Sequence, residues 1–326
     1  MTASKLSRLL FALAVCALLA AGIAACGDDS NDESTSGSSS AEAIQDNPDN
    51  HGVALTIGSK NFTEEFIVGE IYAQALEAAG YDIKTDLNLG DSTIAVNALK
   101  DGEISGYPDY TSTVLTEFFK TPVEDVPSDA QEAADVAQGE FEGDGLTSFA
   151  PTPFADSNAV GTLTTTADEL GLETVSDLEG QSQDLTLYGS PECRQRPDCL
   201  VGLEDTYGLQ FKEFVPIDIG LRYEVLDKGD ADLSILFTSD AQLFNSDKYT
   251  LLEDDKGIFP AGNVIFITDP TVVDEAGPDY QSTIEAVQSQ LTDPVIQELN
   301  ARVDLDKEKP EDVAHDYLVE GGYISD

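Results

Sequence analysis

Two segments of the chain place an aromatic residue before hydroxyl side chains in the same pattern. They read LKDGEISGYPDYTST (residues 99–113) and LDKGDADLSILFTSD (residues 226–240). In both, a predicted helix ends at a glycine, a predicted strand follows, and Tyr110 or Phe237 precedes a threonine and a serine. Ligands of open α/β sheets bind outside the carboxyl ends of strands. The pattern therefore predicts two strand ends, one in each half of the protein, that face each other across a ligand cleft.

Residues suited to catalysis or metal binding are scarce. His51 lies in a polar N-terminal stretch and His315 in a polar predicted helix, while Asp254 and Asp255 fit a turn better than a pair of glycosidase carboxylates. No GxSxG, HExxH or phosphate-loop motif occurs. Too few cysteines and histidines remain for a zinc site. We therefore expect no enzyme, no cofactor and no metal, although an exported hydrolase or transferase is the formal alternative.

The N-terminus has the layout of an exported lipoprotein. Lys5 and Arg8 precede an apolar stretch over residues 9–25, and residues 23–26 read IAAC, which resembles a bacterial lipobox. We expect a signal peptide over residues 1–25, cleavage before Cys26 and a lipid on its sulfur, so that the protein is anchored on the outer face of the cytoplasmic membrane. A transmembrane anchor is the alternative, but the stretch is at the lower limit for a span.

The remaining cysteines and the charge fit this location. Cys193 and Cys199 enclose a short loop, and an oxidising compartment predicts a disulfide between them. The chain has 63 acidic and 16 basic residues, a net charge of −47. Such a charge repels nucleic acid and anionic lipid, so we expect no nucleic-acid partner and membrane contact only through the lipid. The acidity fits an adaptation to high salt, and it fits equally well an acidic surface that has no specific function.

The elements that would position the two strand ends follow an alternating order. A polar segment over residues 26–50 has no apolar periodicity and predicts a disordered tether. After it, strands and helices alternate, with a capping box of Asn61 and Glu64 at the start of the first helix. The predicted elements are strands at 53–58, 81–89, 104–107, 185–188, 214–219, 231–237 and 263–268, and helices at 61–80, 91–100, 199–207, 221–228, 280–291, 295–303 and 310–320.

This order predicts an α/β protein with largely parallel sheets. About 275 residues follow the tether, a size at which one hydrophobic core commonly gives way to two. We expect a bilobal protein in which residues 51–157 and 263–326 form lobe I and residues 158–262 form lobe II.

The motifs GSKNFTEE (residues 58–65), YPDYTST (107–113) and LEDDKG (252–257) carry a family resemblance. From Val53 to Ser325 the chain resembles the glycine betaine/choline/osmoprotectant substrate-binding proteins of ABC transporters. The resemblance implies a periplasmic-binding-protein fold of type II, two lobes joined by crossover strands, and ligand capture by lobe closure. It also implies a monomer that works with a permease and an ATPase on separate chains.

The resemblance also implies a ligand site. In the family, aromatic rings surround a trimethylammonium group, because a quaternary ammonium donates no hydrogen bond and is attracted to ring faces. Arg196 matches an arginine expected to hold a carboxylate, whereas Asn158 and Gly262 stand where the family has aromatic residues and Glu65 replaces a frequent glutamine. The candidate ligand-binding residues are Lys60, Glu65, Tyr107, Tyr110, Thr113, Asn158, Arg196, Phe237 and Gly262.

These residues predict an importer's binding protein for a small quaternary-ammonium osmolyte such as glycine betaine, choline or carnitine. One alternative is another cationic or zwitterionic solute, such as an amino acid or an ergothioneine-like betaine. A sensory lipoprotein that works without a transporter is a second alternative.

Overall fold

The computed structural model describes residues 43–244 and 247–325. The predicted signal peptide, Cys26 and most of the predicted tether lie outside these residues. Within the described ranges, no helix combines the length and the apolar character that crossing a bilayer requires.

The last residues of the predicted tether are packed on the protein, which corrects its boundary at residue 50. The Ile44 amide donates to the Tyr323 carbonyl at 2.8 Å, and Asn50 Nδ2 donates to the Ala79 carbonyl at 2.8 Å. Asn50 is buried in a short 3₁₀ turn over Pro48–Asn50. A main-chain hydrogen bond and a polar side chain make these contacts, so a search for apolar periodicity did not find them.

Strands alternate with helices along the described chain. The strands are β1 (Ala54–Gly58), β2 (Asp82–Asp86), β3 (Gly106–Tyr110), β4 (Thr147–Ser148), β5 (Ala155–Asp156), β6 (Asn158–Leu163), β7 (Thr186–Gly189), β8 (Glu213–Pro216), β9 (Leu233–Phe237), β10 (Tyr249–Leu251) and β11 (Gly262–Thr268). The helices are α1 (Thr63–Ala78), α2 (Ser92–Lys100), α3 (Thr111–Thr113, continuing as a π-helical turn over Val114–Phe118), α4 (Ala130–Asp144), α5 (Thr164–Leu170), α6 (Leu200–Asp205), α7 (Arg222–Lys228), α8 (Pro270–Ala276), α9 (Pro278–Gln288), α10 (Asp293–Asp304) and α11 (Pro310–Glu320). Further 3₁₀ turns cover Val123–Asp125, Val175–Leu178, Ser182–Asp184, Pro191–Gln195, Ile219–Leu221 and Ala241–Leu243.

The strands form two separate mixed sheets. The first has the order β2-β1-β3-β11-β4, with β5 also paired to β11, and the second has the order β10-β6-β9-β7-β8. In each sheet three strands are parallel, whereas β11 and β6 run antiparallel to their neighbours. The three neighbouring strands of each sheet are thus parallel as expected, whereas the antiparallel orientation of β11 and β6 was not predicted. The strands β6 and β11 carry the chain into the second lobe and back to the first, and each runs through its sheet in the direction opposite to its neighbours.

Each sheet has its own hydrophobic core, as a bilobal fold requires. The core of lobe I includes Ile57, Ile67 and Ile71 on one side of the sheet and Tyr107 and Leu115 on the other, all fully buried. Lobe II has a separate cluster around Leu187, Leu203 and Leu233. The first helix buries one face in this core, at Ile67, Ile71 and Ala75.

The two segments that matched in sequence are equivalent elements. Strand β3 begins four residues after Gly102, and β9 begins four residues after Gly229. These glycines have φ angles of 72° and 70°, in the left-handed region that glycine adopts at little cost. The equivalence places Tyr110 and Phe237 at the carboxyl ends of corresponding strands.

The capping box predicted at the first helix was wrong. Helix α1 begins at Thr63, with Phe62 at the N-cap position and no side-chain cap. Glu65, rather than Glu64, reaches back to the preceding loop, where its Oε2 accepts a hydrogen bond from the Lys60 amide at 3.3 Å. Helix α2 has a side-chain cap, because Asp91 Oδ1 accepts a hydrogen bond from the Ile94 amide at 3.0 Å.

Candidate functional site

A cleft lies between the two sheets and is lined by residues of both lobes. Its cavity volume is about 80 Å³, and the cleft is partly open to solvent. Six of the nine candidate ligand-binding residues line it, namely Lys60, Tyr110, Thr113, Asn158, Arg196 and Phe237.

Three aromatic rings meet in the cleft. Phe62 lies between Tyr110 and Phe237, with centroid distances of 6.2 Å to Tyr110 and 5.3 Å to Phe237. Two of these rings already contact cations of the protein: Lys60 Nζ is 4.5 Å from the Tyr110 centroid, and Arg222 Cζ is 3.9 Å from that of Phe237. Sequence reasoning missed Phe62, although it is part of the SKNF motif that carried the resemblance.

A buried carboxyl group, that of Glu64, holds the ring of Tyr110 in place. The Tyr110 hydroxyl donates to Glu64 Oε1 at 2.5 Å, and Asn300 Nδ2 donates to Glu64 Oε2 at 2.7 Å. Burial, and then the nearby Asp156 carboxylate, raise the pKa of Glu64 to about 7. Glu64 thus fixes a ring of lobe I from the first turn of α1.

Lys60 is buried and faces two carboxylates. Its Nζ lies 2.5 Å from Asp109 Oδ1 and 3.7 Å from Glu65 Oε1. Burial raises the pKa of Glu65 to about 8, because it outweighs the opposing effect of Lys60, and Asp109 raises the pKa further. Glu65 is 1% exposed and does not line the cleft. The predicted ligand contact of Glu65 is therefore corrected: its side chain is a buried partner of Lys60.

Arg196 projects from the loop that is closed by the disulfide between Cys193 and Cys199, which is present as predicted. The guanidinium forms a two-point pair with Asp198, with Nε donating to Oδ1 at 2.8 Å and Nη2 contacting Oδ2. It also reaches lobe I, where Glu117 Oε1 lies 3.9 Å from Nε and Thr113 Oγ1 accepts from Nη2 at 3.5 Å. Arg196 therefore connects the two lobes at the cleft.

Asp156 is a carboxylate of the cleft that sequence reasoning also missed. It ends β5 at the crossing between the lobes, and its Oδ1 accepts from Thr238 Oγ1 and from the Ser239 amide, each at 2.9 Å. Burial, and then Asp240, raise the pKa of Asp156 to about 6. Asp156 is 7% exposed and lines the same cleft as the rings of the two lobes.

Two other candidates lie outside the lining of the cleft. Tyr107 is fully buried in the core of lobe I, where its hydroxyl donates to Asp109 at 3.2 Å, so its predicted ligand contact is corrected. Gly262 is buried and is not among the residues that line the cleft, and it packs closely against Ser112, where a Cβ would collide with the Ser112 side chain. Asn158 does line the cleft, and its Nδ2 donates to the Asp198 carbonyl at 2.9 Å.

Relatives and solved structures agree with this architecture. Residues 53–320 match the family described as the substrate binding domain of ABC-type glycine betaine transport systems. The chain is 31% identical to a glycine-betaine-binding protein of Pseudomonas aeruginosa over 83% of this chain and 89% of that protein. It is 27% identical to the ergothioneine transport permease/ergothioneine binding protein EgtU of Helicobacter pylori over 85% of this chain, which corresponds to 48% of that longer protein.

A crystal structure of a glycine betaine/carnitine/choline ABC transporter protein superimposes with a TM-score of 0.64 at 27% identity, covering 82% of this chain and 98% of the other. The bilobal periplasmic-binding-protein fold is thus confirmed. The chain belongs to the family of substrate-binding domains of ABC-type glycine betaine transport systems, whose members are extracytoplasmic solute-binding proteins and not enzymes.

Proposed function

We propose that the protein captures a small quaternary-ammonium compound in the cleft and delivers it to an ABC importer. The observation that carries this proposal is the group of three rings, Phe62, Tyr110 and Phe237, contributed by both lobes around one cleft. A desolvated ring face attracts an ammonium by about 0.5–2 kcal/mol. Micromolar binding needs about 8 kcal/mol, so several such contacts and a carboxylate must act together.

Asp156 is the carboxylate best placed to assist the rings. It is nearly buried, lines the cleft, and is oriented by hydrogen bonds from the turn that follows β9. A negative charge beside ring faces favours a cation over a neutral solute. Lobe closure brings Phe237 against Phe62 and excludes water, which strengthens both contributions.

Calorimetric titration of the purified protein with choline, glycine betaine, carnitine and ergothioneine tests the proposal. We expect at least one of them to bind with micromolar affinity and to raise the melting temperature. Tyr110→Ala should weaken that binding by about 2- to 30-fold, because it removes one ring. Tyr110→Phe is the matched control, since it keeps the ring. The substrate class is rejected when none of the four compounds gives heat or a thermal shift.

We further propose that Cys26 carries a lipid that holds the protein at the membrane, and that a permease and an ATPase on separate chains accept the solute. The sequence motif around Cys26 supports the lipid, and family membership supports the partners. Cys26→Ser should move the protein from the membrane fraction to the soluble exported fraction. Retention of the variant in the membrane would contradict lipid anchoring.

A further inference from the structure

Carboxylates outnumber cationic groups along the cleft. Two cationic side chains, Lys60 and Arg196, line it. The carboxylates that line it are Asp91, Glu117, Asp156, Glu192 and Asp198. Formal charges of −5 and +2 sum to −3, so the residues that line the cleft favour a positive guest and oppose a negative one.

The positive charge of Lys60 is already balanced within the protein. Its ammonium contacts Asp109 at 2.5 Å and has Glu65 at 3.7 Å, while the residue as a whole is 5% exposed. Asp109 is fully buried and also accepts hydrogen bonds from Ser92 and Tyr107. An anionic ligand group beside Lys60 would therefore meet a site where the charge is already neutralised.

The positive charge of Arg196 is balanced in the same way. Asp198 binds it at two points, and Glu117 approaches it from the opposite lobe at 3.9 Å. Burial opposes the charge of Arg196, but Asp198, Glu117 and Glu192 raise its pKa. A ligand carboxylate that approached this guanidinium would have to lie among these three like charges.

From this balance of charges we propose that the cleft selects an organic cation without a carboxylate over a zwitterion that carries the same ammonium group, and that Asp156 sets this preference. The proposal rests on the proposed function and makes it more specific. The ammonium takes its attraction from Asp156 and the rings. A carboxylate on the same ligand meets Lys60 and Arg196 already paired with carboxylates of the protein and is repelled by the acids that line the cleft, so the zwitterion is disfavoured by an unfavourable contact.

Choline and glycine betaine form a matched pair for the test, because they share the trimethylammonium group and differ in carrying a hydroxymethyl or a carboxylate group. Titrations of the purified protein near neutral pH should show choline binding at least about tenfold more tightly. Raising the salt concentration from about 50 mM to about 500 mM should weaken choline binding more than glycine betaine binding, since screening removes the net attraction.

Asp156→Asn keeps the oxygen that accepts from Thr238 and Ser239 but removes the charge. We expect it to weaken choline binding about fivefold or more and to narrow the choline-to-betaine ratio. Asp144→Asn is the control, because it removes one charge at the exposed end of α4. Glycine betaine binding as tightly as choline to the unmodified protein would overturn the proposal and leave the proposed function standing. If the protein binds neither choline, nor glycine betaine, nor any other quaternary amine, both this proposal and the proposed function are rejected.

Discussion

Glu65 is a single buried carboxyl group near the cleft that makes the stability of the protein depend on pH. It is almost completely buried beside Lys60 and Asp109, and its pKa is about 8, above the ordinary 4.5. In the unfolded chain the carboxyl group loses its proton near its ordinary pKa, whereas the folded protein retains it until near pH 8. The contribution of Glu65 to stability is therefore fully present below about pH 4.5 and is lost as the pH rises towards 8.

Replacing Glu65 with glutamine removes this dependence. The amide oxygen can still accept from the Lys60 amide, and Lys60 keeps Asp109 as its partner. Near pH 4.5 we expect Glu65→Gln and the unmodified protein to have the same free energy of unfolding. Near pH 8 we expect the free energy of unfolding of Glu65→Gln to be higher by roughly 2–4 kcal/mol. Chemical denaturation across this range measures the difference, with Glu77→Gln on the exposed side of α1 as the control. A difference that does not change with pH would contradict this account.

At the same scale, sequence reasoning located part of the site for identifiable reasons. Tyr110 and Phe237 were found because a glycine and a strand of fixed length precede each of them. Tyr107 was assigned wrongly because it lies three residues before Tyr110, and residues an odd number apart in a strand point to opposite faces. Phe62 and Asp156 were missed because their position in the cleft depends on which segments of the other lobe face them, and this is a long-range property.

At the scale of elements, the positions of helices and strands could be predicted but their pairing could not. Glycines and hydrophobic periodicity located β9 and α11 closely, whereas β3 begins two residues and ends three residues later than predicted. The direction of β6 and β11 within their sheets depends on partners far along the chain, for example Val264 opposite Tyr110. A local pattern contains no information about such pairs, which is why the parallel strands were predicted but the antiparallel orientation of β6 and β11 was not.

The disulfide loop is the element that presents Arg196. The bond closes a loop between Cys193 and Cys199, and the arginine between them contacts Thr113 and Glu117 of lobe I. We expect the double variant Cys193→Ser and Cys199→Ser to lose about 2 kcal/mol of stability, as chain entropy predicts for a short loop. Ligand affinity should also fall, because a less ordered Arg196 connects the two lobes less firmly through Thr113 and Glu117. Chemical denaturation measures the loss of stability, and ligand titration measures the loss of affinity. The unmodified protein with its disulfide reduced should show the same two losses as the double variant. Unchanged affinity in the stable, folded variant would show that the loop orders itself without the bond.

At the scale of the whole molecule, direct contacts hold the two lobes together around the cleft. Asn300 of α10 donates both to Glu64 and to the Ser239 carbonyl of lobe II, the latter at 3.1 Å, and α10 contacts the turn over Ala241–Leu243. Since Glu64 also holds Tyr110, this side chain couples a ring of the cleft to lobe closure. The apparent affinity of a ligand falls with the fraction of molecules in the closed state.

Asn300→Ala should therefore weaken ligand binding although Asn300 does not line the ring-bearing cleft. Losing one hydrogen bond between the lobes corresponds to roughly a 2- to 10-fold loss of affinity. Small-angle scattering without ligand should show a larger radius of gyration for the variant, and a saturating ligand should return it to the value of the unmodified protein. Glu298→Ala, on an exposed position of the same helix, controls for a change in helix stability. An unchanged radius together with reduced affinity would assign the effect to the support of Tyr110 by Glu64 rather than to closure. Because Tyr110→Phe removes the same hydroxyl contact without touching the lobe interface, comparing the two variants separates these contributions.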